Sequence, residues 1–127
     1  MVSRFRPHSW RQKFGHAFRG LRRALRTQHS FVVHLAVAAV VVLAAAVLRV
    51  SAADWGLLML AIGLVLVAET FNTAIESLAR AVDTRFHPRL RDALDIASAA
   101  VLLAAGTAVV IGLIVFLPRL FGLIGLW

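Results

Sequence analysis

The sequence predicts an all-α integral membrane protein in which an amphipathic surface helix precedes three transmembrane helices. Three observations lead there. Of the 127 residues, 61% are hydrophobic, and a mean hydropathy of +0.84 exceeds what a soluble domain of this length carries. Three apolar runs, at residues 31–48, at 55–68 with a polar extension, and at 93–117, approach or exceed the roughly 18 to 20 residues a helix needs to cross hydrocarbon. Ahead of them Trp10, Phe14, Phe18, Leu21 and Leu25 recur at helical spacing, with Arg11, Arg19, Arg22, Arg23 and Arg26 largely elsewhere around the turn. That pattern belongs to a helix lying in the plane of the interface.

The chain therefore divides into a basic amphipathic interfacial segment at residues 1–27 and a three-helix transmembrane domain at 28–127, a single domain overall. Residues 1–8 read as a frayed tail, and the surface helix opens at Ser9. The net charge of +8 is unevenly placed: eight basic residues precede the first span, Arg80, Arg85, Arg89 and Arg91 separate the second from the third, and only Arg49 and Arg119 lie on the other side. Under the positive-inside rule the amino terminus and second loop are cytoplasmic. This distribution argues against nucleic acid and for attraction to anionic lipid headgroups, worth about 1 kcal/mol per basic residue near the surface. Cysteine is absent, which removes disulfides, thiolate metal sites and cysteine nucleophiles. No cleavable signal is expected, because the first apolar run begins only near Phe31.

Each span carries its own signals. Gln28 precedes the hydrocarbon of the first span and His34 lies just inside it, as either a packing residue or a ligand. Residues 36–46 alternate valine with alanine, small enough for close helix approach. Residues 49–54 form an outer turn, with Asp54 expected to cap the second helix and Trp55 to anchor it. A loop at 81–92 carries Asp83, Arg85, His87 and Pro88 as its stop signal. Its basic residues suit an anion such as phosphate, or serve only orientation. The third helix opens with Asp95 and Ser98 one turn apart, has Gly106 and Gly112 for close packing, and is expected to end at Pro118. A short outer tail ends in the interfacial Trp127.

Chemistry concentrates at residues 68–80, AETFNTAIESLAR. On a helix, Glu69, Asn72, Thr73, Glu76 and Arg80 fall on one narrow stripe. Ionisable groups have no cheap place in lipid, so the stripe is a functional site by default, the other reading being polar glue between helices. At about 1.5 Å per residue Glu69 lies ~21 Å from Trp55 and Glu76 ~32 Å, which places the first in the cytoplasmic half of the bilayer and the second near its inner surface. The more desolvated Glu69 is suited to take a proton from an alcohol, and Glu76 at the wet edge to hold a divalent metal. Phosphoryl transfer asks a protein mainly for such positioning and charge neutralisation. No Walker A, H-E-x-x-H, G-x-S-x-G or dinucleotide fingerprint occurs.

With these residues in view, residues 20–116 resemble the small integral-membrane diacylglycerol kinase and undecaprenol kinase family of prokaryotes. The matching pieces are FVVHL at 31–35, AETFNTAIE at 68–76, FHP at 86–88 and DIASAAVLLAA at 95–105. The resemblance implies a homotrimer with sites shared between subunits, and Mg2+-dependent transfer of the ATP γ-phosphate to a lipid hydroxyl at the inner membrane. It implies Glu69 as proton acceptor, Asn72 as an active-site polar group, and Glu76 as a magnesium and nucleotide ligand. His87 and Asp95 fall near ATP, with Arg85 among the phosphate-binding basic residues. Ser98 falls near the lipid, as do Phe31, His34 and Trp55.

Three positions depart from that pattern. Gln28 stands where a metal-binding glutamate is typical, Arg80 where an aspartate is, and Leu94 where a lysine is. The last two suggest that Arg80 supplies the missing phosphate contact and pairs with Asp95 when ATP is absent. The leading reading is a lipid kinase acting on diacylglycerol or undecaprenol. The alternative is a catalytically silent relative serving as a membrane structural or lipid-binding protein, motivated by Gln28 and Leu94. An ion pathway on Glu69 and Glu76 is weaker, because nothing polar continues to the outer face.

Overall fold

Four helices follow one another in the computed structural model, which describes residues 9–82 and 87–125: α1 (Trp10–Thr27), α2 (His29–Val47), α3 (Ala52–Val82) and α4 (Pro88–Leu123). No strand occurs among the described residues. Helices α2, α3 and α4 are each long and apolar enough to cross a membrane.

Local chemistry sets where each helix starts and stops. Ser9 opens α1 with a capping box: its Oγ accepts from the Gln12 N–H at 3.4 Å, and the Gln12 side chain accepts from the Ser9 N–H at 3.1 Å. Gln28, in extended backbone with φ −113°, is the single residue between α1 and α2. Of α1 only Ala24 is buried, while Trp10 and Phe18 stand 74% and 70% exposed. Rings of that size need an apolar cover, which an interfacial helix finds in lipid.

Pro88 does not terminate a loop but occupies the first turn of α4, behind His87, whose Nδ1 accepts from the Arg89 N–H at 3.2 Å. Proline suits that position because its missing N–H has no partner there anyway. Residues 88–92 are consequently helical, and the expected loop is shorter than residues 81–92. Pro118, too, does not stop the last helix: α4 runs through it to Leu123. The proline leaves the Ile114 carbonyl without its usual donor, a loss that helices in membranes tolerate.

α3 is the axis of the bundle. It packs extensively against α4 and less against α2, while α2 and α4 scarcely meet. The end of the bundle at the α2–α3 turn holds the core, with Ala45, Val50, Leu58 and Val115 buried and Trp55, Ile111 and Phe116 packed on them. Elsewhere the apolar side chains face outward, Leu102 and Leu103 being 74% and 73% exposed, as a body surrounded by lipid requires. A Cβ at Gly106 or Gly112 would meet nothing within 4 Å, so neither supports close packing inside this chain.

The turn between α2 and α3 is closed by a polar clasp. Arg49 adopts a left-handed φ of 52°, a conformation side chains disfavour, and the turn is held by Val50 N–H donating to the Ala45 carbonyl at 3.2 Å. Arg119 reaches from α4 to donate to the Arg49 carbonyl at 3.4 Å and to Asp54 Oδ2 at 3.0 Å. Asp54 is thus not the cap of α3. Ser51 fills that role, its Oγ accepting from the Asp54 N–H at 3.1 Å. Asp54→Asn and Arg119→Gln should each lower the unfolding midpoint in detergent slightly. A double-mutant cycle should return a coupling of about 1 kcal/mol, since the pair is only partly shielded.

Candidate functional site

The middle of α3 buries two polar side chains, Glu69 at 3% exposure and Asn72 at 9%. Neither could be left unpaired in that position without a large penalty. Glu69 finds its partners on α2. Ser30 Oγ donates to Glu69 Oε1, and His34 Nε2 lies 3.6 Å from Glu69 Oε2. Ser30 and His34 are four residues apart, so one face of α2 presents both to the two oxygens of one carboxylate. The carboxylate is thereby held in a fixed orientation between two helices.

One turn along, Asn72 Nδ2 donates to Glu76 Oε1 at 3.0 Å. Its Oδ1, like Thr73 Oγ1, is buried without a hydrogen-bond partner. Unsatisfied buried acceptors are uncommon enough to call for an occupant. An amide oxygen beside a half-buried carboxylate is the donor set a hard divalent cation takes. Among the described residues no group of three or more His, Cys, Asp or Glu could hold a metal by itself.

Beyond His34 an apolar groove of about 280 Å³ runs toward the end of the bundle that carries the α2–α3 turn, walled by Val37 and Val41 of α2, Leu58 and Val65 of α3, and Val109 and Phe116 of α4. It exists because α2 and α4 diverge on either side of α3. The buried carboxylate therefore sits at the head of a channel fit for an apolar chain.

The sequence-predicted residues divide into several places. Glu69 with His34, and Asn72 with Glu76, are brought together. Gln28 and Arg80 share a different wall, a pocket between α1 and α3. Asp95 and Ser98 stand exposed on α4, making no hydrogen bond to the α3 stripe among the described residues. His87 is exposed at the α4 cap. The expected Arg80 to Asp95 ion pair is not among those formed by the described residues. Trp55 belongs to the outer core, far down α3 from Glu69, and Arg85 lies outside the described residues.

Ser30 is the functional residue that sequence reasoning missed. Its signal was its place one turn before His34, on the face that α2 turns toward α3. Phe31 is 2% exposed and lines an apolar cleft with Leu21 and Leu25 of α1 and Leu66 and Phe71 of α3. It fastens three helices together.

The chain matches the family model described as prokaryotic diacylglycerol kinase over residues 15–116. It is 35% identical over 109 residues to the undecaprenol kinase of Bacillus subtilis, a match covering 86% of this chain and 89% of that protein. It is 37% identical over 111 residues to a diacylglycerol kinase of Synechocystis sp., covering 87% of this chain and 63% of the longer relative.

Phe31→Ala should lower unfolding stability in detergent by about 3 kcal/mol, within the range for emptying a buried phenylalanine site. Phe31→Leu should cost much less. A Phe31→Ala protein as stable as the parent would show that the ring is not part of the packing.

Proposed function

The chain belongs to the prokaryotic diacylglycerol kinase family and is a lipid kinase; from that premise we propose that it transfers the γ-phosphate of ATP to the hydroxyl of diacylglycerol or undecaprenol, at the cytoplasmic face of a bacterial inner membrane. The observation that carries this reading is the buried Glu69 carboxylate, held by Ser30 and His34 at the head of a groove open to apolar chains.

The groove orients the lipid with its chain among the valines and its alcohol beside Glu69. Glu69 takes the hydroxyl proton as the lipid oxygen bonds to the γ-phosphorus, and the bond to the bridging oxygen breaks to release ADP. Ser30 and His34 contribute by fixing the carboxylate before the substrate arrives, so that no reorganisation is needed during the step. The proton leaves Glu69 afterwards toward the cytoplasmic side.

Magnesium, where it accompanies the nucleotide, would be held by Glu76 with the free Asn72 Oδ1, and Gln28 offers a further amide oxygen from the break between α1 and α2. It would supply charge neutralisation for the phosphate oxygens. Asp95, Ser98 and His87 stand exposed on α4, which supports their serving the site of a neighbouring copy in the proposed homotrimer. The basic segment at residues 1–27 then holds the nucleotide-facing side at anionic headgroups, with the amino terminus cytoplasmic.

Label transfer from γ-labelled ATP in mixed micelles tests the reading, with dioctanoylglycerol and a short polyprenol as acceptors. Glu69→Gln should reduce transfer by at least about 100-fold, the usual scale of general base catalysis. Ser30→Ala should lower kcat about tenfold and leave the KM for ATP nearly unchanged, because it acts through Glu69 rather than on the nucleotide. A Glu69→Gln protein of parental activity would refute the assignment.

A further inference from the structure

The groove that leaves Glu69 is closed at its other end, and what closes it bears on which chains it takes. Val41, Leu58 and Phe116 line that end. Leu58 lies in the packed core with Ala45, Val50 and Val115, and Val41 and Phe116 pack on it. A chain cannot pass beyond them without prising open a core, which close packing resists. Among the described residues His34 is the one polar side chain lining the groove, so a chain that has passed it meets only hydrocarbon.

Helix geometry gives the groove a length. Leu58 lies eleven residues before Glu69 on α3, about 16 Å at the helical rise. An extended chain advances about 1.2 Å per bond, so the slot takes about 13 bonds counted from the alcohol. On α4, Val115 shares the core with Leu58, and Gly112 lines the groove one turn nearer Glu69, at the level of about the tenth bond. Gly112 is half-buried, yet a Cβ there would meet nothing within 4 Å. The wall is therefore bare at Gly112, and the space before it belongs to the groove. A lipid chain is surrounded by hydrocarbon whether in the bilayer or in the slot, so selection between chains comes from fit rather than from burial.

We propose that Gly112 and Phe116 determine which chains the groove accepts: Phe116 with Leu58 ends the slot, and the bare wall at Gly112 admits the last part of its length. This selectivity rests on the reading in which the groove takes the substrate's chain with the alcohol at Glu69, and adds to it the residues that measure that chain. Chains that fit the slot lie wholly within it, and longer ones must bend out between α2 and α4, which scarcely meet.

The full-length protein in nanodiscs is photolabelled with tetradecan-1-ol carrying a diazirine at its tail carbon, and hexan-1-ol and tetradecan-1-ol compete for the label. Label should fall on α4 between Val109 and Phe116 and on α3 around Leu58. Gly112→Leu should weaken tetradecan-1-ol about tenfold, the scale of overpacking a filled site, and leave hexan-1-ol unchanged, because a chain of about six bonds stops short of Gly112. Gly106→Leu, at a glycine with the same free space that does not line the groove, should leave both alcohols unchanged. Label spread over the outward-facing Leu102 and Leu103 overturns the slot. Equal weakening of both alcohols in Gly112→Leu overturns it as well, by showing a general defect, and so does unaltered competition by tetradecan-1-ol. None of these measurements needs turnover, so failed phosphoryl transfer strikes the role of Glu69, whereas failed labelling strikes the groove.

Discussion

The structure depends on one requirement: an acidic side chain placed inside an apolar bundle must be met there by hydrogen-bond donors. Glu69 is 3% exposed, and a lone carboxylate in hydrocarbon would be driven out or neutralised. Ser30 on α2 donates to it from a neighbouring helix, with the His34 ring 3.6 Å from its other oxygen. This fixes the register of α2 against α3, because sliding α2 by one residue would turn both side chains away from the carboxylate. The same contacts that make burial tolerable thus also hold the carboxylate in one orientation.

The distribution of polar contacts along the bundle follows a pattern. Among the described residues, one cross-helix cluster lies at the Glu69 level, and another closes the end at the α2–α3 turn, where Arg119 ties α4 to Asp54 and to the Arg49 carbonyl. Between them α2 and α4 barely touch, and the groove occupies that gap. Apolar packing alone provides little drive for helices to associate in lipid. Polar ties at two levels hold the helices together, and the groove stays open between those levels.

The sequence made the helical architecture legible because spans and interfacial helices obey length and periodicity, both read residue by residue. The α3 stripe was equally legible, since charge in an apolar run is conspicuous. Ends of helices were less so. Asp54 looks like a cap by type, but Ser51 supplies the oxygen, and Asp54 is instead recruited by an arginine 65 residues away. Pro88 and Pro118 were both read as stops, yet the first sits at a helix start, where proline is favoured, and the second within α4. Phe31 and Trp55 were placed near the lipid by the family resemblance, while the burial of Phe31 and the packing of Trp55 on the core are tertiary facts that no local pattern carries. Ser30 escaped notice because a serine beside a helix start is ordinary; only the position of Glu69 across the interface gives it a role.

Arg80 shows most clearly how tertiary placement changes the meaning of a residue. Read along α3 it continues the stripe of Glu69 and Glu76, and its natural partner is an acid on α4. In the folded chain it faces α1, with Arg23 across the same cavity and Gln28 beside it. Both arginines are exposed, and a guanidinium open to water needs no acidic partner.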